Sequence, residues 1–299
     1  MDSRNIVYTT LTLPLLLNAY SVAYAADESV DDSFSSDFTE DDTALFEKAR
    51  WSNGGMFDCV FSSNNVSFED GIMTLSITEN TNSKYSYDRA GAEYRTLNYY
   101  GYGYYQVSMM PISNPGVVSS FFTFSGKDDS GAWDEIDIEF LGKDTTCVQF
   151  NYYVNGNGHH EYVYDLGFDA TADYHNYSFL WQENMITWFV DDVAVYQVDA
   201  ENGSLPSLES KIMMNVWNGA NSVNYWLDEY DGTIPLHAYY DTMSYTSLSQ
   251  VDSQILESAV TFSTTNQQSS NSGYIVASSF FGIAIIILFL FTFIKRIRD

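Results

Sequence analysis

Between about residues 46 and 247 the chain is built from short alternating or apolar runs, separated by Gly, Asn and Asp. No long helical pattern interrupts them, and runs of this length with regular turn signals indicate β-strands. Many short strands in succession predict an all-β domain, either a sandwich or a barrel. The runs that carry this prediction include residues 71–77, 104–110, 117–124, 148–154 and 185–197.

One run places carboxylates on alternate positions, where isoleucines separate Glu135, Asp137 and Glu139. A strand turns successive side chains to opposite faces, so the three acids share one face and the isoleucines the other. Neighbouring acids repel one another, and no base lies between Lys127 and Lys143 to offset them. Folding gains nothing evident from this arrangement, so the pattern indicates a chemical role.

Glycoside cleavage is the chemistry that fits this pattern. It needs one carboxyl group to protonate the leaving oxygen and a second to attack the anomeric carbon or activate water. The Cα atoms of Glu135 and Glu139 are about 13 Å apart at ~3.3 Å per strand residue, and two long side chains on a concave strand can narrow that gap. Like charges this close raise at least one pKa, which supplies a protonated acid near neutral pH. The alternatives are an acidic Ca²⁺ site, although such sites usually come from loops, and a solvated strand face.

Composition narrows the choice of partner. Forty acidic against twelve basic residues give a formal net charge of -28, and the bases cluster only at the extreme C-terminus. A nucleic-acid-binding surface needs a basic footprint, so nucleic acid is not an expected partner. The 24 Tyr, 20 Phe and 6 Trp can fill a core and still line a cleft with rings. A neutral glucan polymer is compatible with these features, and we expect a monomer.

The two cysteines, Cys59 and Cys147, allow at most one intrachain disulfide. The sequence leaves open whether they meet in the fold. Neither has a histidine at a metal-ligand spacing, so a zinc site is not expected.

The segments that flank the β region predict targeting and attachment. Residues 1–25 end in Ala23-Tyr24-Ala25 after an apolar stretch, which predicts a cleaved signal peptide. Residues 26–46 are strongly acidic and predict a disordered leader before a domain at 47–246. Residues 247–274 are rich in Ser, Thr, Gln and Asn, which predicts a flexible stalk.

The C-terminal region predicts a membrane anchor. Residues 275–294 carry no charge, and three bases follow within residues 295–299. A helix of this length, at about 1.5 Å per residue, spans a hydrocarbon core of roughly 30 Å, and the basic tail is expected to stay cytoplasmic. Together with the signal peptide, this predicts a single-pass membrane protein whose catalytic domain is extracellular or lumenal.

The run from Trp133 to Gly142, WDEIDIEFLG, resembles the signature of glycoside hydrolase family 16. It is most similar to the bacterial-type lichenases of that family, which are endo-β-1,3-1,4-glucanases. The resemblance covers roughly residues 51–246, and its other segments are weak singly but specific when taken together in order. These segments are residues 51–59, 93–95, 100–103, 118–122, 149–153 and 211–219.

The resemblance implies a concanavalin-like jelly-roll sandwich of two antiparallel sheets, whose concave cleft hydrolyses β-glucan with retention of configuration. Carried over by position, Glu135 would be the nucleophile, Glu139 the general acid/base and Asp137 an assisting carboxylate. Hydrogen bonds to sugar hydroxyls are implied for Asn53, Glu93, Arg95, Gln149, Asn151, Tyr153 and Asn215. Apolar faces for glucose rings are implied for Phe122, Trp133, Trp217 and, as a weaker match, Trp226.

No cofactor is implied for catalysis, whereas a structural calcium is. The positions that match its ligands are Gly71 and Asp241. The sequence departs from the family at the position that normally pairs with Cys59, which is Gly91 here. The family disulfide is therefore expected to be missing.

Two other functions stay open at the level of sequence. A wall-remodelling transglycosylase would keep the fold and the covalent intermediate but pass the glycosyl group to a sugar acceptor. A surface lectin would use the cleft only to bind glucan. A lectin has no need of three acids at the centre of its cleft, and the triplet is intact here.

Overall fold

The computed structural model describes residues 31–127, 131–201 and 203–265 of the chain, all in one unit that begins at Asp31. Short helical elements join the strands: 3-10 turns at Ser63–Asn65, Asn221–Val223 and Leu248–Gln250, helix α1 (Asn224–Leu227), and helix α2 at residues 253–265. The strands in the described residues are β1 (Phe34–Ser36), β2 (Phe46–Lys48), β3 (Val60–Phe61), β4 (Val66–Glu69), β5 (Ile72–Glu79), β6 (Arg89–Thr96), β7 (Gly103–Met110), β8 (Val117–Phe124), β9 (Glu135–Leu141), β10 (Cys147–Tyr153), β11 (Tyr162–Asp165), β12 (His175–Gln182), β13 (Met185–Val190), β14 (Val193–Asp199), β15 (Lys211–Asn218) and β16 (Leu236–Ser247).

Two antiparallel sheets pack face to face. The front sheet has the strand order β11-β10-β9-β8-β15-β6-β2, and the back sheet has the order β4-β5-β16-β7-β12-β13-β14, with β1 added along β16. The sheets join where β5 pairs with β6, and the short β3–β6 pair is parallel. The predicted jelly-roll sandwich of two antiparallel sheets is confirmed.

The core lies between the two sheets and fixes the strand that carries the carboxylates. Ile136 and Ile138 of β9 are fully buried in it, as their alternation predicts. Trp188 of the back sheet donates its indole N–H to the backbone carbonyl of Asp137 at 3.2 Å. Because these contacts fix the inward side of β9, its acidic residues Glu135, Asp137 and Glu139 lie on the outer face of the front sheet.

The acidic leader was predicted to be disordered, and for residues 31–46 this is wrong. Strand β1 pairs with β16, Phe38 is 1% exposed, and Phe46 stacks on Tyr94 with ring centroids 4.7 Å apart. Burying these rings removes a large apolar area from water while the acids between them stay at the surface. The segment is therefore part of the domain.

The stalk prediction is also wrong for its described part, because residues 253–265 are helical. Asp252 caps this helix, since its Oδ1 accepts the backbone N–H of Gln254 at 2.7 Å. Ile255 and Leu256 pack against the sandwich and Ala259 is fully buried. A Ser- and Thr-rich composition obscured this cap and the apolar helix face.

The signal peptide predicted at 1–25 and the membrane span predicted at 275–294 both lie outside the described residues. Within residues 31–127, 131–201 and 203–265, no helix has the length and apolarity needed to cross a bilayer. The prediction of a single-pass membrane protein is corrected on this finding.

Candidate active site

The three alternate carboxylates lie side by side on the outer face of the front sheet. Asp137 is 4% exposed, and Glu135 and Glu139 on either side of it are partly exposed. Strand register sets their neighbours, which are Tyr153, Asn151 and Gln149 on β10, and Phe124, Phe122 and Ser120 on β8. Four of the predicted sugar-contact residues and the triplet are thereby brought onto one face, together with Glu93, Arg95 and Asn215 from β6 and β15.

Trp133 holds Glu135 by a direct hydrogen bond. Its indole Nε1–H donates to Glu135 Oε2 at 2.7 Å, and its ring stacks on Tyr153 with centroids 5.7 Å apart. The Gly156 N–H donates to the Trp133 carbonyl at 2.7 Å, and a Cβ at Gly156 would lie 2.9 Å from the indole. Only glycine permits this close approach at a φ of +75°. The backbone of this loop therefore orients the donor to Glu135.

Glu139 is held from the other side of the site. Gln149 donates its Nε2–H to Glu139 Oε2 at 2.8 Å. Trp226 in turn donates its indole N–H to Gln149 Oε1 at 3.2 Å. Because this bond fixes which end of the amide accepts, Gln149 is set as a donor to Glu139, and the weaker sequence match Trp226 lies within the site.

Removal from water raises the pKa of all three carboxyl groups, and their mutual repulsion raises those of Glu135 and Asp137 further. The Trp133 N–H opposes this effect at Glu135, and the Gln149 amide opposes it at Glu139. A hydrogen bond joins Glu135 and Asp137, lowering the pKa of the first and raising that of the second. Asp137 is therefore the protonated partner of this hydrogen bond, and its O–H donates to the Glu135 carboxylate.

A polar row continues from the triplet across β8, β15 and β6. Ser120 donates its hydroxyl to Asn215 Oδ1 at 2.6 Å, and Asn215 also bonds the side chain of Glu93. Glu93 is 3% exposed, and burial raises its pKa to about 7. On the far side of the triplet, the buried Asn151 Oδ1 has no hydrogen-bond partner among the described residues. An unpaired buried acceptor is costly unless a ligand supplies the donor.

Arg95 takes part in a network that sequence reasoning missed. Its Nε–H donates to Glu47 Oε1 at 2.9 Å, and its guanidinium lies 4.2 Å from the ring centroid of Trp51. Lys211 donates to the same Glu47 oxygen at 3.1 Å. Trp51 stood in the first matched segment, two residues before Asn53, and offered a signal. Glu47 offered none, because only the β2–β6 pairing brings it to Arg95.

The remaining predicted contacts lie toward the end of β15. Trp217 is 3% exposed, and its ring centroid lies 4.3 Å from that of Phe57, so its environment is mainly that of a core residue. Asn53 stands apart from the strand rows, exposed in the loop before β3. That loop joins the end of β15 through the Asp58 N–H, which donates to the Asn218 carbonyl at 2.9 Å.

Asp134, beside Glu135, was also missed. It is 2% exposed, and its Oδ1 accepts the backbone N–H of Asn155 at 3.0 Å. Its Oδ2 accepts the N–H groups of Ser207 at 2.8 Å and Leu208 at 3.2 Å. One carboxylate thereby ties two loops to the start of β9. The sequence signal that could have identified Asp134 is its position directly before Glu135, outside the alternation of the three acids.

The two predicted calcium ligands lie on the back sheet. Gly71 is in the β4–β5 turn at a φ of +79°, and Asp241 lies at the irregularity of β16, next to the Tyr240–Met73 pair. The Asp241 carboxylate makes no hydrogen bond or ion pair within the part of the chain that the structure describes. A Cβ at Gly71 would lie 3.8 Å from the carbonyl oxygen of Asp37. Carboxylate and carbonyl oxygens are donors that suit Ca²⁺.

The cysteines are unpaired. Cys59 is buried and Cys147 is partly exposed, and both are free thiols. At the position of the absent family partner, a Cβ on Gly91 would lie 3.0 Å from Cys59 Sγ and 2.5 Å from the Val216 carbonyl. Burial raises the pKa of the Cys59 thiol to about 12. Close packing against glycine replaces the covalent link.

Comparison with known proteins agrees with this geometry. The family model described as "Glycosyl hydrolases family 16" matches residues 53–232. The β-glucanase of Paenibacillus macerans is 52% identical over 206 residues, which are 68% of this chain and 84% of that protein. The β-glucanase of Bacillus subtilis is 45% identical over 242 residues, 80% of this chain and 97% of that protein.

A solved prokaryotic β-1,3-1,4-glucanase (lichenase), derived from a mouse hindgut metagenome, superposes with a TM-score of 0.69 at 51% identity. The match covers 72% of this chain and 99% of that chain. The laminarinase catalytic domain from Thermotoga maritima, at 19% identity and a TM-score of 0.64, shows a likeness of fold alone. The chain therefore belongs to glycosyl hydrolase family 16 and is a glycoside hydrolase.

Proposed function

We propose that this glycoside hydrolase is an endo-acting β-1,3-1,4-glucanase that works with retention of configuration. The observation that carries the proposal is the carboxylate triplet on one strand face, with Trp133 donating to Glu135 and Gln149 to Glu139. The relatives named β-glucanase and the solved lichenase support the choice of substrate. The neutral polymer also suits a strongly acidic chain.

Each carboxyl group has a role that follows from its hydrogen bonds. Glu135 accepts from Trp133 and Asp137, which favours its anion, and its oxygen forms the bond to the anomeric carbon as the glycosidic bond breaks. Glu139, whose pKa burial raises to about 7, gives its proton to the leaving oxygen. It then takes a proton from the water that hydrolyses the glycosyl-enzyme. Burial raises the pKa of Glu135 as well, to about 8, so the two roles are assigned from the hydrogen bonds that Glu135 accepts. Asp137 donates a hydrogen bond that stabilises the Glu135 carboxylate before it attacks and when it is released.

Glucose hydroxyls are recognised by the polar row, and their C–H faces by the rings. The buried Asn151 Oδ1, which has no partner in the described part of the chain, supports this assignment. Trp133 and Phe122 flank the triplet on either side, where a ring can cover a sugar at the point of cleavage. The proposed hydrogen-bonding residues are Asn53, Glu93, Arg95, Gln149, Asn151, Tyr153 and Asn215, and the proposed apolar contacts are Phe122, Trp133, Trp217 and Trp226.

The proposal also includes a structural calcium bound by the Asp241 carboxylate and the Gly71 carbonyl. The Asp241 carboxylate, which no described residue pairs with, and the Asp37 carbonyl near Gly71 support it. Calcium would stabilise the back sheet and take no part in the reaction. Addition of Ca²⁺ to protein treated with a chelator should raise the melting temperature, and Asp241→Asn should abolish that rise. An unchanged melting temperature in the parent protein would remove calcium from the proposal.

Product mapping tests the function. The full chain should release reducing ends from lichenan, and less or none from laminarin, carboxymethylcellulose and xyloglucan. Nuclear magnetic resonance should show the β-anomer first, whereas an α-anomer would contradict retention. Longer products made with an added oligosaccharide acceptor, in place of hydrolysis, would indicate a transglycosylase. Binding of glucan without any released ends would indicate a lectin.

A further inference from the structure

The outer face of the back sheet carries an apolar patch. Tyr104 of β7 lies directly opposite Leu180 of β12, and Phe189 of β13 lies nearby, with the Tyr104 and Phe189 rings 5.8 Å apart. Their neighbours Tyr105 and Phe179 face the core, so these three side chains point out of the sandwich. All three are nevertheless buried, with at most 7% exposure. We name them the back patch.

Helix α2 is what covers the back patch. Ile255, Leu256 and Ala259 pack on it at the spacing of one helix face, and Ala259 is completely buried. Val260, the next residue, is 58% exposed. The contact also has a polar anchor, because Gln197 of β14 donates to the Ala259 carbonyl at 3.0 Å. An apolar stripe, a buried small residue and a specific hydrogen bond together make a fitted contact.

The covered face is the one opposite the carboxylates. Glu135 and its neighbours lie on the outer face of the front sheet, and the back patch lies on the outer face of the back sheet, with the core between them. Helix α2 also lies outside the family match, which ends at residue 232. Like β16, it follows the matched residues, and it docks on the sandwich without touching the site.

We propose that the back patch is a docking surface for the chain's own helix α2, and that this contact holds residues 248–265 on the side opposite the cleft. Docked, helix α2 leaves the open front face free for a long polymer and shields three large apolar side chains from water. The occupant is this segment of the same chain, in a one-to-one contact.

Two substitutions at adjacent positions of the full-length protein test the proposal. Ala259→Glu puts a carboxylate into the apolar contact, and Val260→Glu makes the same change at the exposed neighbour. Hydrogen exchange of the amides in residues 255–265 should become about ten-fold faster or more in Ala259→Glu, because burying an unpaired charge releases the helix. Exchange there should stay at the parent rate in Val260→Glu. Binding of a hydrophobic dye should rise only in Ala259→Glu.

Glucanase activity serves as the folding control, because neither position belongs to the site. Both variants should hydrolyse lichenan at the parent rate. Fast exchange of residues 255–265 in the parent protein would overturn the proposal, since the helix would then not be docked. Equal acceleration by both substitutions would also overturn it, because the effect would come from the helix itself. Loss of activity in Ala259→Glu alone would show that the back patch and the cleft are not separate, which contradicts the proposal.

Discussion

The outer faces of the two sheets follow the same alternation and are used in opposite ways. On the front face Glu135, Asp137 and Glu139 stand together with raised pKa values, and the Asn151 side-chain oxygen accepts no hydrogen bond from the described residues. On the back face Tyr104, Leu180 and Phe189 are buried beneath a helix, and the Tyr104 hydroxyl bonds Ser178 at 2.7 Å. On the front face, groups that lower the stability of the fold are kept because the reaction needs them. On the back face, apolar side chains stabilise the fold because they are covered and closed to ligands.

Glu135→Gln on the front face should have the largest effect on kcat, and the same change on the back face should have none. Loss of the attacking carboxylate should lower kcat on lichenan by about 10⁴-fold or more, while glucan binding and the melting temperature stay near those of the parent. Glu257→Gln, the same change on the exposed side of helix α2, should leave kcat unaltered. Steady-state kinetics and a binding isotherm give both results. Appreciable turnover by Glu135→Gln would refute the assigned nucleophile.

Asp134→Asn should lower both stability and activity, because it weakens the hydrogen bonds that hold the loops at Asn155 and Ser207 to the start of β9. An amide cannot accept three backbone N–H bonds as the carboxylate does, so the free energy of unfolding should fall by about 2–4 kcal/mol. Activity should fall as well, because the Asn155 loop that orients Trp133 is released. Asp165→Asn, whose amide oxygen still accepts the single exposed bond from the Gly167 N–H, should change stability by under about 0.5 kcal/mol. Equal effects in urea unfolding would contradict the role of Asp134.

Glu93→Gln should stabilise the protein at pH 8 and weaken substrate binding. The pKa of Glu93 rises from 4.5 to about 7 on folding, so its folded environment favours the protonated form. Stability from this group is complete below about pH 4.5 and is lost as the pH rises through 7. The amide stays neutral, so the variant should gain about 3 kcal/mol at pH 8 and little at pH 4.

Urea unfolding at the two pH values measures this gain, and KM on lichenan measures the loss of binding. The exposed Glu69→Gln on the back sheet is the matched control and should change neither quantity. A variant less stable than the parent at pH 8 would show that Glu93 is ionised and well solvated in the fold.

The smallest effect should be a shift in pH dependence. Trp133→Phe removes the N–H that favours ionised Glu135, so the pKa of this carboxyl should rise. Because the nucleophile must be ionised, the acidic limb of kcat/KM should move to higher pH. Tyr104→Phe also removes one hydrogen bond from an aromatic residue, but on the back face. It should cost about 1 kcal/mol of stability without moving the pH profile, and a shift in both variants would rule out a local effect at Glu135.

Local periodicity made much of the front face predictable. The alternation around Glu135 specified a strand, its two faces and the shared side of the acids, and the neighbouring segments supplied the rest of the polar row. The misses all depend on contacts between distant parts of the chain. Glu47 meets Lys211 164 positions away, and Asp134 meets Ser207 73 positions away. No pattern within a short window contains such pairs.

The two errors at the edges of the domain have a different cause. The segments at 31–46 and 253–265 have the polar composition of disordered chain, yet each carries a few well-spaced apolar residues, such as Phe38 and Ala259. These side chains become buried only because the sandwich presents a surface for them. Composition averaged over a segment does not record that complementarity.

The glycine that faces Cys59 makes the fold independent of redox conditions. No sulfur–sulfur bond has to form during folding, so neither an oxidant nor a disulfide isomerase is required. Dithiothreitol should leave the melting temperature unchanged. The Cys59 thiol, buried and with its pKa raised to about 12, is also a poor target for alkylating reagents while the protein is folded.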